Sequence, residues 1–147
     1  MAERCKPMFP FFRYALAFSA SLALAFSAAI ARAQTPSLVG LWSHHVVDPQ
    51  TGRPISIIWD EFGPNGQLHV KFVTPAGTID VFGSYKVLNG GTVARAVYTD
   101  YEPKQTCTMI CTPLASPVPI GQPGDSAMRF DGPDIVYFGA DMYTRQR

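Results

Sequence analysis

The sequence predicts an all-β domain built as a small antiparallel up-and-down barrel of about eight strands. Apolar and polar residues alternate through most of the chain after residue 34, as they do in strands that bury one face. Gly, Pro and Asn residues interrupt this alternation about every ten residues, which is the spacing of turns between short strands. No stretch long enough for a helix shows a helical period there. Closure into a barrel would remove exposed sheet edges, and a two-sheet sandwich is the main alternative.

Five predicted strands occupy the first part of this domain, at residues 38–47, 55–62, 67–73, 78–88 and 92–99. The clearest turn is at residues 63–66, where Pro presets φ and the Asn and Gly residues tolerate positive φ, so we expect a hairpin there. Gly83 in the middle of the fourth strand predicts a bulge or a sharp bend. The alternation around Gly83 leaves Phe82 free to point outward.

Residues 102–125 do not continue the alternation, because they are rich in Pro and Gly. A connection of this length is uncommon in a compact domain and is usually functional or disordered. Its apolar residues favour partial order, as a lid over the barrel mouth or as a surface for a partner protein, with a disordered tether as the alternative. The last three strands are predicted at residues 126–131, 134–138 and 142–146.

Residues 1–33 have the order of charged, apolar and small residues typical of a secretory signal peptide. Arg4, Lys6 and Arg13 precede an uncharged stretch at residues 14–30, and the small residues at positions 31 and 33 suit a signal peptidase. We expect cleavage there, a folded domain at residues 34–147 in the periplasm or outside the cell, and no stable membrane span afterwards. The alternative is an uncleaved anchor, although the uncharged stretch has 17 residues and a span needs about 20.

Removal of 33 of the 147 residues leaves 114, which is enough for one core. The leader holds 4 of the 12 basic and 1 of the 11 acidic residues, so 8 and 10 remain and the formal charge becomes −2. Nucleic acid is not an expected partner, because it requires a basic, clustered surface. Cys107 and Cys111 remain as a close pair, which predicts a disulfide in an oxidising compartment. Its short loop limits the stabilisation to about 2 kcal/mol, so we expect it to shape a local turn.

Short motifs on three of the predicted strands resemble those of the lipocalin-like families of the calycin type. Residues 40–42 (Gly-Leu-Trp) match the G-x-W of their first strand, and residues 99–101 (Thr-Asp-Tyr) resemble their second motif. Arg145 lies on the last strand, where such barrels place a basic residue over the first-strand tryptophan, here Trp42. The resemblance implies a compact, bacterial-type barrel. An Arg over a Trp face contributes about 0.5 to 2 kcal/mol, so we interpret Trp42 and Arg145 as structural residues.

Alternate side chains of an eight-stranded barrel point inward, where they fill the core or surround one small ligand. The expected cavity-lining residues are Trp59, Phe72, Tyr85, Tyr98 and Phe130. The first hypothesis for function is therefore an exported barrel that binds a small hydrophobic molecule in its interior. The second is a cell-envelope interaction or inhibitor module that has a filled core and no ligand.

The polar residues of the domain form no catalytic motif that we recognise. His44 and His45 are adjacent on a strand and project to opposite faces, as do Asp60 and Glu61, so neither pair is suited to act on one ion or one substrate. His69 could meet another histidine only through strand register, which leaves metal or haem ligation as a minor alternative. No nucleophile elbow, phosphate loop or dinucleotide fingerprint occurs. We therefore expect no enzyme activity, no cofactor and no metal site.

Overall fold

Residues 36–147, the part of the chain that the computed structural model describes, form ten β-strands. They are β1 (Gly40–Val47), β2 (Pro54–Phe62), β3 (Gln67–Thr74), β4 (Gly77–Leu88), β5 (Val93–Glu102), β6 (Gln105–Cys107), β7 (Cys111–Pro113), β8 (Pro123–Phe130), β9 (Ile135–Phe138) and β10 (Asp141–Gln146). The helical content of these residues is one short 3-10 turn at Asn89–Gly91. The predicted all-β class is confirmed.

Eight of the strands close into an antiparallel barrel, as the alternation predicted. The order around the wall is β1-β10-β9-β8-β5-β4-β3-β2, and β6 and β7 form a separate two-stranded sheet. Each wall strand therefore pairs with the next wall strand along the chain, which is the up-and-down arrangement. β1 and β10 complete the wall, with Trp42 opposite Arg145. Closure leaves no unpaired strand edge in the wall.

The predicted signal peptide at residues 1–33 and its cleavage site lie outside the described residues. Within residues 36–147, no helix has the length and apolar character needed to cross a membrane. Cleavage and export therefore stay predictions.

The predicted bulge is present where Gly83 interrupts β4. The pairing with β5 shifts between Phe82, which is opposite Asp100, and Gly83, which is opposite Tyr98. A Cβ atom at position 83 would lie 2.3 Å from the carbonyl oxygen of Val97, so a larger residue would have to displace the β5 backbone. Phe82 points outward, as the alternation allowed, and is 37 % exposed.

The hydrophobic core lies inside the barrel, and every wall strand contributes to it. Its ten buried apolar residues are Leu38, Trp42, Phe62, Leu68, Val70, Val81, Ala94, Met128, Val136 and Tyr143. Trp42, Val81 and Val136 are completely enclosed. Burial of a large apolar side chain contributes about 1.5 to 3 kcal/mol, so this set is the main source of stability.

Trp42 and Arg145 join the first strand, the last strand and the segment before β1. The guanidinium carbon of Arg145 lies 4.2 Å from the centroid of the Trp42 ring. The indole Nε1 donates a hydrogen bond to the carbonyl oxygen of Leu38 at 2.7 Å. Arg145 donates from Nη1 to the carbonyl of Val39 at 2.8 Å and from Nε to that of Pro133 at 3.0 Å. These contacts hold the seam at which the barrel closes.

Residues 102–125, for which the sequence favours partial order, contain a short hairpin and the start of β8. β6 and β7 pair with each other and are linked by the Cys107–Cys111 disulfide, whose sulfur atoms are 2.03 Å apart. Each of these strands has three residues, which is too short for an alternating pattern to be recognised. β8 begins at Pro123, a position that Pro can occupy because the first residue of a strand does not need its backbone N–H for pairing. The segment is thus partly ordered, and the Cys107–Cys111 disulfide is as predicted.

Candidate functional site

An interior pocket of about 110 Å³ lies among the side chains that point into the barrel. Five aromatic rings and one carboxyl group dominate its wall: Phe62, Tyr85, Tyr98, Phe138, Tyr143 and Asp60. Arg95 and Ser126 also line it, and both are exposed, so the pocket reaches the surface where β5 pairs with β8. The arrangement is a small apolar enclosure that contains one acidic group.

Asp60 is the buried polar residue of this pocket. It is 9 % exposed, and it lies on β2 opposite Trp42 of β1 and Val70 of β3. Among the side-chain atoms of residues 36–147, its Oδ1 is the buried oxygen that has no hydrogen-bond partner. A buried polar atom in this situation costs about 1 to 3 kcal/mol. Asp60 therefore presents an acceptor that no group of the described chain satisfies.

Burial raises the pKa of Asp60 to about 7, because ionisation places a charge away from water. None of the salt bridges formed within residues 36–147 includes this carboxyl group. Asp60 therefore changes its charge near neutral pH, and no cation of the described residues forms a salt bridge with it. A carboxyl with this property inside a pocket is a frequent feature of functional sites.

The tyrosines of the pocket remain protonated at neutral pH and can donate hydrogen bonds. The pKa of Tyr98 rises to about 12, chiefly because of burial and then because of the nearby Asp60 charge. The same two causes, in the same order, raise the pKa of Tyr143. The Tyr85 hydroxyl donates to the carbonyl oxygen of Gly63 at 2.9 Å, which fixes the orientation of that ring.

Contacts among the rings hold the pocket wall in place. The ring centroids of Phe62 and Tyr85 are 4.9 Å apart, and those of Phe62 and Phe138 are 5.9 Å apart. Phe138 makes an edge contact with Tyr143 at 5.2 Å, and His44 stacks against Tyr143 at 5.0 Å. Each such pair contributes about 0.5 to 1.5 kcal/mol beyond its buried area, so the wall is largely preformed.

The sequence did not single out Asp60, because β2 is apolar on both faces. Asp60 lies between Ile58 and Phe62, which share its face, whereas Trp59 and Glu61 point outward. A signal was nevertheless available. Two apolar neighbours at i−2 and i+2 on a strand indicate that the intervening aspartate faces the same apolar side as they do.

Two of the five expected cavity residues, Tyr85 and Tyr98, line the interior pocket. Phe72 packs against the core without lining the pocket, and Phe130 packs 6.2 Å from Trp42, measured between ring centroids. Trp59 lies on the outer face of β2 and does not point into the barrel. The sequence of β2 is apolar on both faces, so it does not show which face is interior. The register of β2 with the neighbouring strands β1 and β3 decides that.

Two larger depressions, of about 280 and 300 Å³, lie on the outer face around His69. His69 Nε2 is 2.7 Å from Oδ1 of Asp80, and His69 Nδ1 is 3.8 Å from Oε2 of Glu61. Lys71 Nζ is 3.6 Å from the same Asp80 oxygen. These polar groups pair with one another at the surface. The interior pocket is the better candidate because its polar atom is both buried and without a partner.

The adjacent histidines of β1 point to opposite faces, as predicted. His44 Nδ1 donates to the carbonyl oxygen of Met142 at 2.9 Å, and His45 is exposed. Asp60 and Glu61 diverge in the same way, with Asp60 buried and Glu61 exposed. Within residues 36–147, no three His, Cys, Asp or Glu side chains lie together in an arrangement that could hold a metal ion.

Comparison with protein-family models, with curated proteins and with solved structures finds no match for this chain. The eight-stranded, closed antiparallel barrel is consistent with a lipocalin-like barrel and with a ligand-binding barrel. One fold can support many activities, so the function has to be inferred from the geometry of the site.

Proposed function

We propose that this protein is an exported, lipocalin-like barrel that binds a small, largely apolar molecule in the interior pocket. The main support is the combination of a 110 Å³ pocket with a buried carboxyl oxygen that has no partner. A fully packed interior leaves neither, because protein cores are close-packed and their polar groups are hydrogen-bonded. The aromatic rings would contact the apolar part of the ligand, and Asp60 would bind its polar group.

The volume of the pocket restricts the ligand to about one ring. An engineered apolar cavity of about 150 Å³ binds benzene, and pockets for drug-sized molecules measure about 300 to 1,000 Å³. A pocket of about 110 Å³ is therefore too small for a long lipid or a dye of several rings. It suits a molecule of at most about one ring, whose polar group can extend toward the surface where β5 pairs with β8.

Further observations support the proposals that the barrel is lipocalin-like and that the protein is exported. Residues 40–42 carry the G-x-W pattern, and Arg145 lies over the ring of Trp42. The leader pattern at residues 1–33 favours export, and the Cys107–Cys111 disulfide is compatible with an oxidising compartment.

A variant that occupies the pocket tests the proposal. Ala96 lines the pocket on β5, so Ala96→Leu places extra methyl groups inside it. Ala127→Leu makes the same change on β8, where the residue is exposed, and is the matched control. We expect toluene, phenol and benzyl alcohol to bind the wild type and the Ala127 variant in ligand-observed NMR, and to bind the Ala96 variant at least tenfold more weakly. Failure of all three to bind the folded wild type, or equal binding by the Ala96 variant, would refute the proposal.

The tip of the β6–β7 hairpin favours the second candidate, a cell-envelope interaction module. Met109 is 100 % exposed and Ile110 is 79 % exposed, and both lie inside the loop closed by the disulfide. The Tyr101 hydroxyl donates to the carbonyl oxygen of Leu114 at 2.8 Å, which attaches the chain after this hairpin to β5. These two neighbouring apolar side chains on a constrained loop offer another protein a small apolar contact surface.

Cross-linking in an envelope extract distinguishes this second candidate. A specific partner should be cross-linked by the wild type and lost when Met109 and Ile110 are both replaced by Ser. Met142→Ser is the matched control, because Met142 is 46 % exposed elsewhere on the surface. Equal cross-linking by all three proteins would remove the hairpin tip as an interaction surface.

A further inference from the structure

We propose that the ligand of the interior pocket is a small protonated amine of about one ring, whose nitrogen donates a hydrogen bond to Oδ1 of Asp60. This inference rests on the proposed function, since it requires that the pocket binds a ligand. It adds the chemical class of that ligand, which the volume and the aromatic wall alone do not determine.

The first argument is the charge balance of the interior. Within residues 36–147, the Lys and Arg side chains that form salt bridges all use carboxylates other than Asp60; they are Lys71, Arg95, Lys104, Arg145 and Arg147. Arg95 reaches the edge of the pocket, but it is held by two hydrogen bonds to Asp125, of 2.6 and 2.7 Å. A cationic ligand would therefore supply the countercharge that the protein does not provide at Asp60.

The second argument is the chemistry of the rings beside Asp60. Tyr98 and Tyr143 both line the pocket, and both are close enough for the Asp60 charge to affect their hydroxyl groups. Aromatic faces attract cations within about 6 Å of the ring centroid, and the attraction is larger away from water. A carboxylate with aromatic rings around it suits an ammonium group. A ligand with a carboxylate would instead be repelled by ionised Asp60.

The pH dependence follows from the charge of Asp60. Only the ionised carboxylate pairs with the ammonium group, and the pKa of Asp60 is about 7. Asp60 is ionised in about nine tenths of the free protein at pH 8 and in about one tenth at pH 6. The apparent affinity for the amine should therefore fall about tenfold from pH 8 to pH 6. A neutral ligand does not need the ionised form, so its affinity should not fall in this way.

Other titratable groups surround Asp60 and have to be separated from it. Those on the neighbouring strands are His44 on β1, Tyr85 on β4, Arg95 and Tyr98 on β5, and Tyr143 and Arg145 on β10. β3, β8 and β9 contribute no titratable side chain to the pocket wall. His44 is the group to control, because its ring stacks on Tyr143, which lines the pocket.

The test compares benzylamine with benzyl alcohol, which differ little in size, by calorimetric titration at pH 6 and pH 8. In the wild type we expect benzylamine to bind about tenfold more tightly than the alcohol at pH 8, since a charge-assisted hydrogen bond is the stronger one. Asp60→Asn should remove this preference and its pH dependence, because Asn keeps the shape and loses the charge. Glu61→Gln, on the outer face, should retain both properties. His44→Gln removes a ring that stacks on the pocket wall and should weaken the binding of both compounds alike, so the preference for benzylamine and its pH dependence should remain.

The possible results distinguish failure of the amine inference from failure of the proposed function. If benzyl alcohol binds as well as benzylamine at pH 8, the amine inference is wrong and the pocket remains a ligand site. If benzylamine binds the Asp60→Asn variant as tightly as the wild type, Asp60 does not hold the nitrogen and the inference is again overturned. If neither compound binds the folded wild type at either pH, both the inference and the proposed function fail.

Discussion

Replacement of Asp60 by Asn should change how the stability of the free protein depends on pH. The pKa of an unfolded aspartate is about 3.9, and burial raises the pKa of Asp60 in the folded protein to about 7. Below about pH 3 both states are protonated, and the carboxyl group imposes no ionisation cost. As the pH rises from about 4 to 7, the unfolded chain releases its proton and the folded protein retains it, so the wild type loses stability.

The size of this loss follows from the difference between the two pKa values. A separation of about 3 pH units at about 1.4 kcal/mol per unit amounts to about 4 kcal/mol, given the raised pKa of Asp60. Small domains have about 5 to 15 kcal/mol of total stability, so the loss is a substantial fraction. Asp60→Asn cannot ionise. It should match the wild type near pH 4 and exceed it by about 4 kcal/mol at pH 8.

Urea unfolding followed by the fluorescence of the two tryptophans measures this difference at half-unit steps from pH 4 to pH 8. All other ionisable groups are the same in the two proteins, so their contributions cancel when the two curves are subtracted. Asp131→Asn is the matched control, because Asp131 is exposed and takes part in none of the salt bridges formed within residues 36–147, so the same substitution there should not reproduce the pH-dependent difference. A difference between Asp60→Asn and the wild type that stays constant with pH, or shrinks as the pH rises, would refute the burial argument.

Three other changes test the structure of the wall. Gly83→Ala should destabilise by about 1 to 3 kcal/mol in urea unfolding, because its Cβ would meet the β5 backbone. Gly124→Ala meets no atom within 4 Å and should have little effect, so equal losses would contradict the close approach at position 83. Trp42→Ala should cost about 3 to 5 kcal/mol, since the side chain is fully buried, and a near-neutral result would remove it from the core. Thiol titration of the denatured protein should detect no free sulfhydryl at Cys107 or Cys111, and one or two reactive groups at these positions would contradict the disulfide.

The site was only partly predictable from the sequence. Tyr85 and Tyr98 were expected in the interior and do line the pocket. Trp59 was expected beside them, yet it lies on the outer face, and Asp60 takes the inward position. One error explains both results, because a shift of one residue in the phase of a strand exchanges its two faces.

The amino-acid sequence by itself determined the features that depend on neighbouring residues. The eight wall strands, the bulge at Gly83 and the Cys107–Cys111 pairing all follow from alternation, turn composition or close spacing. Only the tertiary structure decided which face of β2 is internal and how much space remains inside the barrel. Those properties depend on register with distant strands, which bring Asp60, Tyr98 and Tyr143 together from β2, β5 and β10. No local sequence pattern encodes the proximity of these three residues, because closure of the barrel fixes the register of all eight wall strands together.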